Sequence, residues 1–281
     1  MIRLFRTIFW NHLIIQAIII RDIFCLELEI PSTNHFQNTI DTGVSRTFKR
    51  SIMTTIDPYC IVPATKGKNT GTVIFLHGSG GTGSLSKEWV EMLKPQIAFP
   101  HLKILFPTAP LRPYTPLMGE LSNVWFNRIK ISPDSPEHLE TLSQAAEDLK
   151  RIVQQEIDSG IPADRIIIGG FSMGGAMSLH MGYRITPQIG GVFALSSFLN
   201  ENSLVYQELQ QKKSQKLPPL FYTQGDRDDL VLFNWAENTF KQLQSYGVQG
   251  QFVTKKGAFH ELKKKEIDDV WKWIAEIVPD Q

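Results

Sequence analysis

From residue 58 onward, short apolar runs rich in β-branched residues alternate with longer stretches whose apolar residues recur at helical spacing. This alternation is typical of βαβ units, in which the strands form a largely parallel sheet covered by helices. The runs at 73–76 and 166–168 are apolar at every position, as expected for strands buried on both faces. The pattern therefore predicts an α/β fold with helices on both faces of a mostly parallel sheet.

Six strands are predicted from these runs, at residues 72–77, 102–106, 165–169, 191–195, 219–223 and 251–254. The clearest helix is predicted to begin at Ser135, with Pro136 in its first position, and to stop at Gly160. Its apolar stripe would run from Leu139 to Ile157 and face the sheet. Both ends of this helix carry recognisable signals, and the helix needs no functional explanation.

The connection between residues 106 and 135 has little periodicity of its own. Its prolines at 107, 110, 113 and 116 recur every third residue, as in a polyproline II turn. We predict a stiff loop packed against its own domain, with a ligand for an SH3-type domain as the alternative. Long ordered loops tend to line binding sites. Tyr114, Trp125 and Phe126 are therefore candidate walls of a substrate pocket, with core packing as an equal alternative for each.

The sequence Gly170-Phe171-Ser172-Met173-Gly174 follows a predicted strand and precedes a predicted helix of small residues. A serine at such a strand-to-helix turn adopts strained backbone angles, and flanking glycines relieve the crowding. The N-terminus of the helix also faces the negative charge that develops during acyl transfer. We therefore predict that Ser172 is a nucleophile rather than an idle serine in a tight turn.

The glycine-rich sequence at 76–83 allows two interpretations. Its glycines at 78, 80 and 83 match the dinucleotide-binding pattern G-x-G-x-x-G, which requires an acidic residue at the end of the next strand. That strand ends in Phe106-Pro107-Thr108, without a carboxylate. An oxyanion loop of the form His-Gly-x-Gly is favoured instead. In that loop the backbone N–H groups of Ser79 and Met173 would bind a tetrahedral oxyanion.

A serine nucleophile in this kind of fold needs an acid and then a histidine later in the chain. Of the seven histidines, only His260 lies in a predicted loop after the last strand. Asp226, Asp228 and Asp229 all follow the strand at 219–223. A carboxylate at position 226 would often bond its own turn, and one at 229 could cap the next helix. Position alone leaves the choice among the three open.

Composition limits the other possible functions. The 29 Lys and Arg residues nearly balance the 28 Asp and Glu residues, and no basic stripe is interleaved with aromatics, so nucleic acid is not expected as a partner. The run Lys263-Lys264-Lys265 is interpreted as the solvated face of a C-terminal helix. Cys25 and Cys60 make no disulfide framework, and no Cys/His spacing indicates a metal site. We therefore expect no metal and no cofactor.

Residues 1–52 are interpreted as an N-terminal appendage outside the folded core, and residues 53–281 as the catalytic domain. The apolar run at 13–20 is too short for a bilayer span, which takes about 20 residues, and no small-x-small cleavage site follows it. We expect no stable membrane insertion. Low cysteine content favours a cytoplasmic location, with secretion or membrane association through residues 1–30 as the alternative.

Together these motifs resemble the acyl-protein thioesterase and lysophospholipase-like carboxylesterase family. The similarity runs from about residue 59 to residue 279 and rests on the segments 75–80, 107–110, 122–126, 169–175, 191–199 and 259–262. The resemblance implies an α/β-hydrolase fold without a large cap domain. It also implies a serine hydrolase that cleaves acyl esters or S-acyl thioesters, including those of S-acylated proteins, through an acyl-enzyme.

Carried over position by position, the resemblance implies Ser172 as nucleophile, Asp228 as acid and His260 as base, with the N–H groups of Ser79 and Met173 as oxyanion hole. The chain departs from the family at Gly81, where an acid is usual, and at Met173, where the thioesterases carry Gln. Because the group used at 173 is backbone, we expect catalysis to survive and substrate range to differ. A weakly catalytic binding protein and a short-chain esterase without depalmitoylating activity are the alternatives.

Overall fold

The computed structural model describes residues 56–211 and 216–280, so the appendage expected at 1–52 lies outside the described residues. Nine strands and six α-helices alternate along the described chain. The strands are β1 (Asp57–Val62), β2 (Gly71–Leu76), β3 (Leu102–Thr108), β4 (Leu111–Tyr114), β5 (Glu120–Asn123), β6 (Ile166–Phe171), β7 (Gly191–Leu195), β8 (Leu220–Gly225) and β9 (Gly250–Lys255). The α-helices are α1 (Gly83–Leu93), α2 (Leu139–Asp158), α3 (Met173–His180), α4 (Leu204–Gln211), α5 (Phe233–Ser245) and α6 (Lys264–Ile277).

Seven of the strands form one sheet in the order β1-β3-β2-β6-β7-β8-β9. Neighbouring strands are parallel except for β1, which runs antiparallel to β3. Six of these strands are the predicted ones, with ends that differ by no more than two residues. The sequence did not predict β1, a sheet-edge strand whose Ile61 is exposed, because it lacks the apolar run of a strand buried on both faces.

Two apolar layers cover the sheet, which confirms the prediction of helices on both faces. On one face, Val90 of α1 and Trp271 of α6 pack with Phe75 of β2. On the other face, α2 to α5 contribute side chains such as Leu149, which packs with Ile74 and its neighbours. Strands buried between two such layers have no polar face, which is why the central runs in the sequence are apolar throughout.

The prediction of an irregular loop after β3 is wrong over part of its length. Residues Leu111–Tyr114 and Glu120–Asn123 pair as an antiparallel hairpin, β4–β5, with Pro113 opposite Leu121. The hairpin was not apparent from the sequence, because its apolar residue faces solvent and its charged residue faces the core. Leu111 is exposed, whereas Arg112 is buried and donates to Gln144 Oε1 of α2 at 3.3 Å. The prediction that this stretch packs against its own domain is confirmed.

Helix α2 begins at Leu139, three residues after the predicted first position at Pro136. Glu137 instead forms an isolated antiparallel bridge with Arg128, and His138 is the N-cap residue, whose ring nitrogen accepts from Thr141 N. The buried apolar face of α2 consequently begins at Leu142 and not at Leu139, which is half exposed. A bridge to a distant segment cannot be read from local capping signals, which explains the error.

The lysine run near the C-terminus lies in solvent, as predicted. Lys263 is the N-cap of α6, and Lys264 and Lys265 form ion pairs one turn later with Asp268 and Asp269. Such i,i+4 pairs give an exposed helix modest support. Within residues 56–211 and 216–280, no helix combines the length and apolar character needed to cross a bilayer.

Candidate active site

The sequence-predicted catalytic residues meet at one edge of the sheet. Ser172 follows β6, Asp228 follows β8 and His260 follows β9, and the glycine loop with Ser79 follows β2. These strands are parallel, so their carboxyl ends lie at the same edge. In open α/β sheets this edge is where ligands bind.

Ser172 occupies a strained turn between β6 and α3. Its φ of 54° and ψ of −118° lie outside the regions that side-chain-bearing residues ordinarily adopt. The turn is held by a backbone hydrogen bond of 2.8 Å from Ser172 N to Leu195 O of β7. This conformation, predicted from the motif, places the serine between the end of a buried strand and the N-terminus of a helix.

The glycines that flank Ser172 are required by a close approach of two backbones. A Cβ atom on Gly174 would lie 2.1 Å from Leu76 O, and one on Gly170 would lie 2.3 Å from the same oxygen. Both distances are far inside van der Waals contact, and the opposing atom is backbone that cannot move aside. The spacing G-x-S-x-G is therefore a steric requirement of the contact between β2 and the serine turn.

A chain of hydrogen bonds connects three of the predicted residues. Ser172 Oγ lies 3.0 Å from His260 Nε2, and His260 Nδ1 lies 2.8 Å from Asp228 Oδ2. The Asp228 side chain is fully buried and that of His260 is 15% exposed. Because an ionised carboxylate only accepts, His260 Nδ1 carries the hydrogen and Nε2 is left to accept from the serine hydroxyl.

The structure separates the three candidate aspartates. Asp228 faces His260, while Asp226 Oδ1 accepts from Gly257 N at 2.6 Å and so ties the histidine loop to the turn after β8. That contact differs from the local turn bond considered for Asp226. Asp229 is exposed, and α5 begins with Leu232 as N-cap and no side-chain cap, so the capping role considered for Asp229 is wrong.

Aromatic side chains pack behind the imidazole of His260 and support it. The ring of Phe171 packs against it with a centroid distance of 4.8 Å, and Trp89 of α1 packs edge-on against Phe171 at 5.4 Å. From the turn after β8, Arg227 N donates to Ala258 O of the histidine loop at 3.0 Å. Sequence reasoning missed this support, because nothing local to Trp89 or Phe171 indicates a contact with a residue so far along the chain.

The two residues predicted to supply oxyanion donors are neighbours. Ser79 Oγ lies 3.7 Å from Met173 Sδ and 3.5 Å from Tyr114 Oη. Met173 is the first residue of α3, where a backbone N–H has no partner within its own helix. The loop is attached to the hairpin by the bond of 3.0 Å from Gly80 N to Asn123 O. Ser79 and Met173 therefore lie side by side at the N-terminus of α3.

Beneath the glycine loop, His77 is a structural residue. Its Nδ1 donates to Gly78 O at 2.6 Å and its Nε2 accepts from Ala109 N at 2.9 Å, so both ring nitrogens are used. Burial lowers the pKa of His77 to about 4, despite the opposing hydrogen bond to Gly78 O, and keeps the ring neutral at neutral pH. The pattern His-Gly-x-Gly includes this residue, but the sequence indicated no role for its side chain.

The candidate pocket residues take different positions. Trp125 is fully buried and donates from Nε1 to His77 O at 2.8 Å, and its ring packs at a tilt against the His77 ring with a centroid distance of 4.9 Å. These contacts favour core packing over substrate contact for Trp125. Tyr114 is also buried, but its hydroxyl reaches the Ser79 side chain. Phe126 packs on His180 and beneath the Arg128 guanidinium, away from these contacts.

A mostly parallel sheet with helices on both faces and a serine in a strained β6–α3 turn defines an α/β hydrolase. Residues 58–278 match the model of the phospholipase/carboxylesterase family. The chain belongs to this family and is an enzyme of the serine hydrolase class.

Relatives and solved structures agree with this assignment. Lysophospholipase-like protein 1 of Mus musculus is 47% identical over 225 residues, which cover 80% of this chain and 93% of the mouse protein. Acyl-protein thioesterase 1 of Neurospora crassa is 36% identical over 229 residues, covering 79% of this chain and 92% of that protein. The crystal structure of acyl-protein thioesterase 2 of Zea mays has a TM-score of 0.64 at 26% identity and covers 78% of this chain and 98% of its own.

Proposed function

We propose that this enzyme cleaves acyl esters or S-acyl thioesters, with Ser172 as nucleophile, His260 as general base and acid, and Asp228 as the acid that orients His260. The observation that carries the proposal is the hydrogen-bonded chain from Ser172 Oγ through His260 to Asp228 Oδ2. The same order of contacts recurs in serine hydrolases of unrelated folds, where geometry and not position identifies the triad.

In the acylation half-reaction, His260 Nε2 takes the proton of Ser172 Oγ as the oxygen attacks the acyl carbonyl carbon. The carbonyl electron pair moves to its oxygen, and the resulting oxyanion accepts from the N–H groups of Ser79 and Met173. When the carbonyl reforms, the C–O or C–S bond breaks, and His260 returns the proton to the leaving alkoxide or thiolate. Ser172 is left as an acyl ester.

Deacylation repeats these steps with water as the nucleophile. His260 Nε2 takes a proton from water, the oxygen attacks the acyl carbon, and the second oxyanion occupies the same site. Collapse of this intermediate expels Ser172 Oγ, which recovers its proton from His260 while the carboxylic acid leaves. Throughout both halves Asp228 accepts from His260 Nδ1 and stabilises the imidazolium that forms.

The names of the relatives support the substrate class. The Neurospora crassa relative is called an acyl-protein thioesterase and the mouse relative is called lysophospholipase-like. We therefore propose acyl esters and S-acylated proteins as substrates of this chain. Hydrolysis rates across p-nitrophenyl esters of increasing acyl length, with an S-palmitoyl peptide alongside, would show whether long thioesters are accepted. Rates confined to the shortest esters would restrict the enzyme to short-chain carboxylesterase activity.

We also propose a cytoplasmic location, which the low cysteine content of the chain supports. Fractionation of cells that produce the full chain tests this separately from catalysis. Recovery of the protein with membranes, or in the medium, would assign an anchoring or secretory role to residues 1–30.

A fluorophosphonate probe tests the nucleophile. The wild-type enzyme should be labelled, and Ser172→Ala should lose both labelling and turnover, with a fall in kcat of roughly 10⁶, the size found when the nucleophile of another triad enzyme is removed. The matched control is Ser84→Ala, which changes an exposed serine close to the glycine loop and should leave both readouts intact. Absence of labelling in the folded wild-type protein would favour a binding protein on a hydrolase fold.

A further inference from the structure

Gln224 lies next to the proposed triad and has no part in the mechanism given above. It is the penultimate residue of β8, and its side chain is fully buried. Its Nε2 donates to Asp228 Oδ2 at 3.0 Å and to Val231 O at 2.8 Å. The oxygen of Asp228 that faces His260 is therefore also held by Gln224.

The carboxylate of Asp228 accepts four hydrogen bonds. Leu230 N and Val231 N donate to Oδ1 at 3.0 and 2.8 Å, and Gln224 Nε2 and His260 Nδ1 donate to Oδ2. Two carboxylate oxygens offer about four lone-pair positions, so none is left over. With donors on both oxygens, the plane of the carboxylate cannot rotate without breaking bonds, and Oδ2 stays in line with the imidazole.

The amide of Gln224 has one polar atom that the described residues leave without a hydrogen bond. Its Oε1 is buried and has no hydrogen-bond partner within the described residues. A buried acceptor without a partner destabilises a fold, and an apolar side chain of the same size would avoid the penalty. An apolar side chain, however, could not donate the two hydrogen bonds that Gln224 Nε2 makes to Asp228 Oδ2 and Val231 O.

We propose that Gln224 is a positioning residue of the triad, which holds Asp228 Oδ2 against His260 Nδ1 and stabilises the negative charge of the carboxylate. The proposal rests on the proposed function, since it acts through Asp228 and His260. Gln224 touches none of the reacting atoms. Its contribution is greatest when His260 carries the second proton, because the imidazolium is then oriented and stabilised by a carboxylate that cannot turn away.

Gln224→Met tests the proposal, because Met is unbranched, similar in length and without an N–H donor. We expect kcat for a p-nitrophenyl ester to fall about tenfold to a hundredfold, the effect of losing a hydrogen bond to a charged group, while KM stays within about twofold. The concentration of active enzyme is measured by titration with the fluorophosphonate probe, so that misfolded molecules do not lower the calculated kcat. The control is Gln251→Met, the same change at an exposed position on β9, which should leave kcat unchanged.

Proton NMR of the full chain supplies a readout that a purely structural role would not move. The hydrogen shared by His260 Nδ1 and Asp228 Oδ2 should resonate far downfield in the wild type and shift in Gln224→Met. A second variant, Gln224→Glu, keeps the shape of the side chain. Its carboxyl can donate to Asp228 while protonated and repels it when ionised. The kcat of Gln224→Glu relative to wild type should therefore fall as pH rises.

Full turnover and an unshifted downfield signal in Gln224→Met would overturn the proposal, as would a relative kcat near one for Gln224→Glu at every pH. A rise in KM with unchanged kcat would also overturn it, because Gln224 would then act on substrate binding. These outcomes are distinguishable from failure of the proposed function, which would show as turnover and labelling that persist in Ser172→Ala.

Discussion

Replacing Asp228 by Asn tests the proposed acid of the triad most directly, because the structure specifies what the new amide would meet. Leu230 N and Val231 N both donate to Oδ1, so the single oxygen of Asn has to occupy that position. Its NH₂ group then faces Gln224 Nε2 and His260 Nδ1, which in the wild type are both donors. The substitution thus places a donor where the carboxylate supplied an acceptor.

A donor opposite His260 Nδ1 favours the tautomer whose hydrogen is on Nε2. In that tautomer the imidazole donates toward Ser172 Oγ and cannot take the serine proton. We expect Asp228→Asn to lower kcat by about 10⁴, the loss that the same change causes in another serine hydrolase. That factor corresponds to about 5.4 kcal/mol of transition-state stabilisation.

Steady-state hydrolysis of a p-nitrophenyl ester measures the effect, with circular dichroism to show that each variant is folded. Asp226→Asn and Asp229→Asn are matched controls. The first keeps an oxygen to accept from Gly257 N, and the second changes an exposed side chain. Each should alter kcat by less than about tenfold. A large loss in either control, with Asp228→Asn near the wild-type rate, would refute the assignment and move the acid to that neighbour.

Three further predictions concern stability. A chain that begins at Met53 should keep its activity, and a Tm lower by more than about 4 °C, or roughly 1 kcal/mol, would show that residues 1–52 stabilise the domain. Gly174→Ala places Cβ 2.1 Å from Leu76 O and should lower the free energy of unfolding by about 3 kcal/mol or more. The control Gly160→Ala, where a Cβ meets open space, should lower it by about 1 kcal/mol. Urea denaturation that shows the same loss for both variants would contradict this prediction. Because burial lowers the pKa of His77 to about 4, the neutral ring stabilises the fold above pH 6.5, and about 3 kcal/mol of stability should be lost as pH falls to about 4. Urea denaturation of His77→Gln should lack that part of the pH dependence, and a slope equal to the wild type would show that His77 does not cause it.

The sequence determined the elements whose signals are local. Strands buried on both faces are apolar at every position, so the central strands could be located within two residues from runs such as 166–168. The turn at Ser172 was equally predictable, because the strain of the serine and the contact of Gly174 with Leu76 restrict which residues can stand beside it. In both cases the physical constraint acts on neighbouring residues and is visible in their order.

The tertiary structure decided the features that depend on contacts between distant segments. The hairpin that contains Leu111 was not apparent, because its register and its inverted exposure are set by docking on α2. Which of the aspartates at 226, 228 and 229 lies against His260 depended on the packing of a loop 32 residues beyond Asp228, since position in the sequence left the three alike. Gln224 and His77 gained their contacts in the same way, since a hydrogen bond of 3 Å requires a precision of placement that only the packed core imposes.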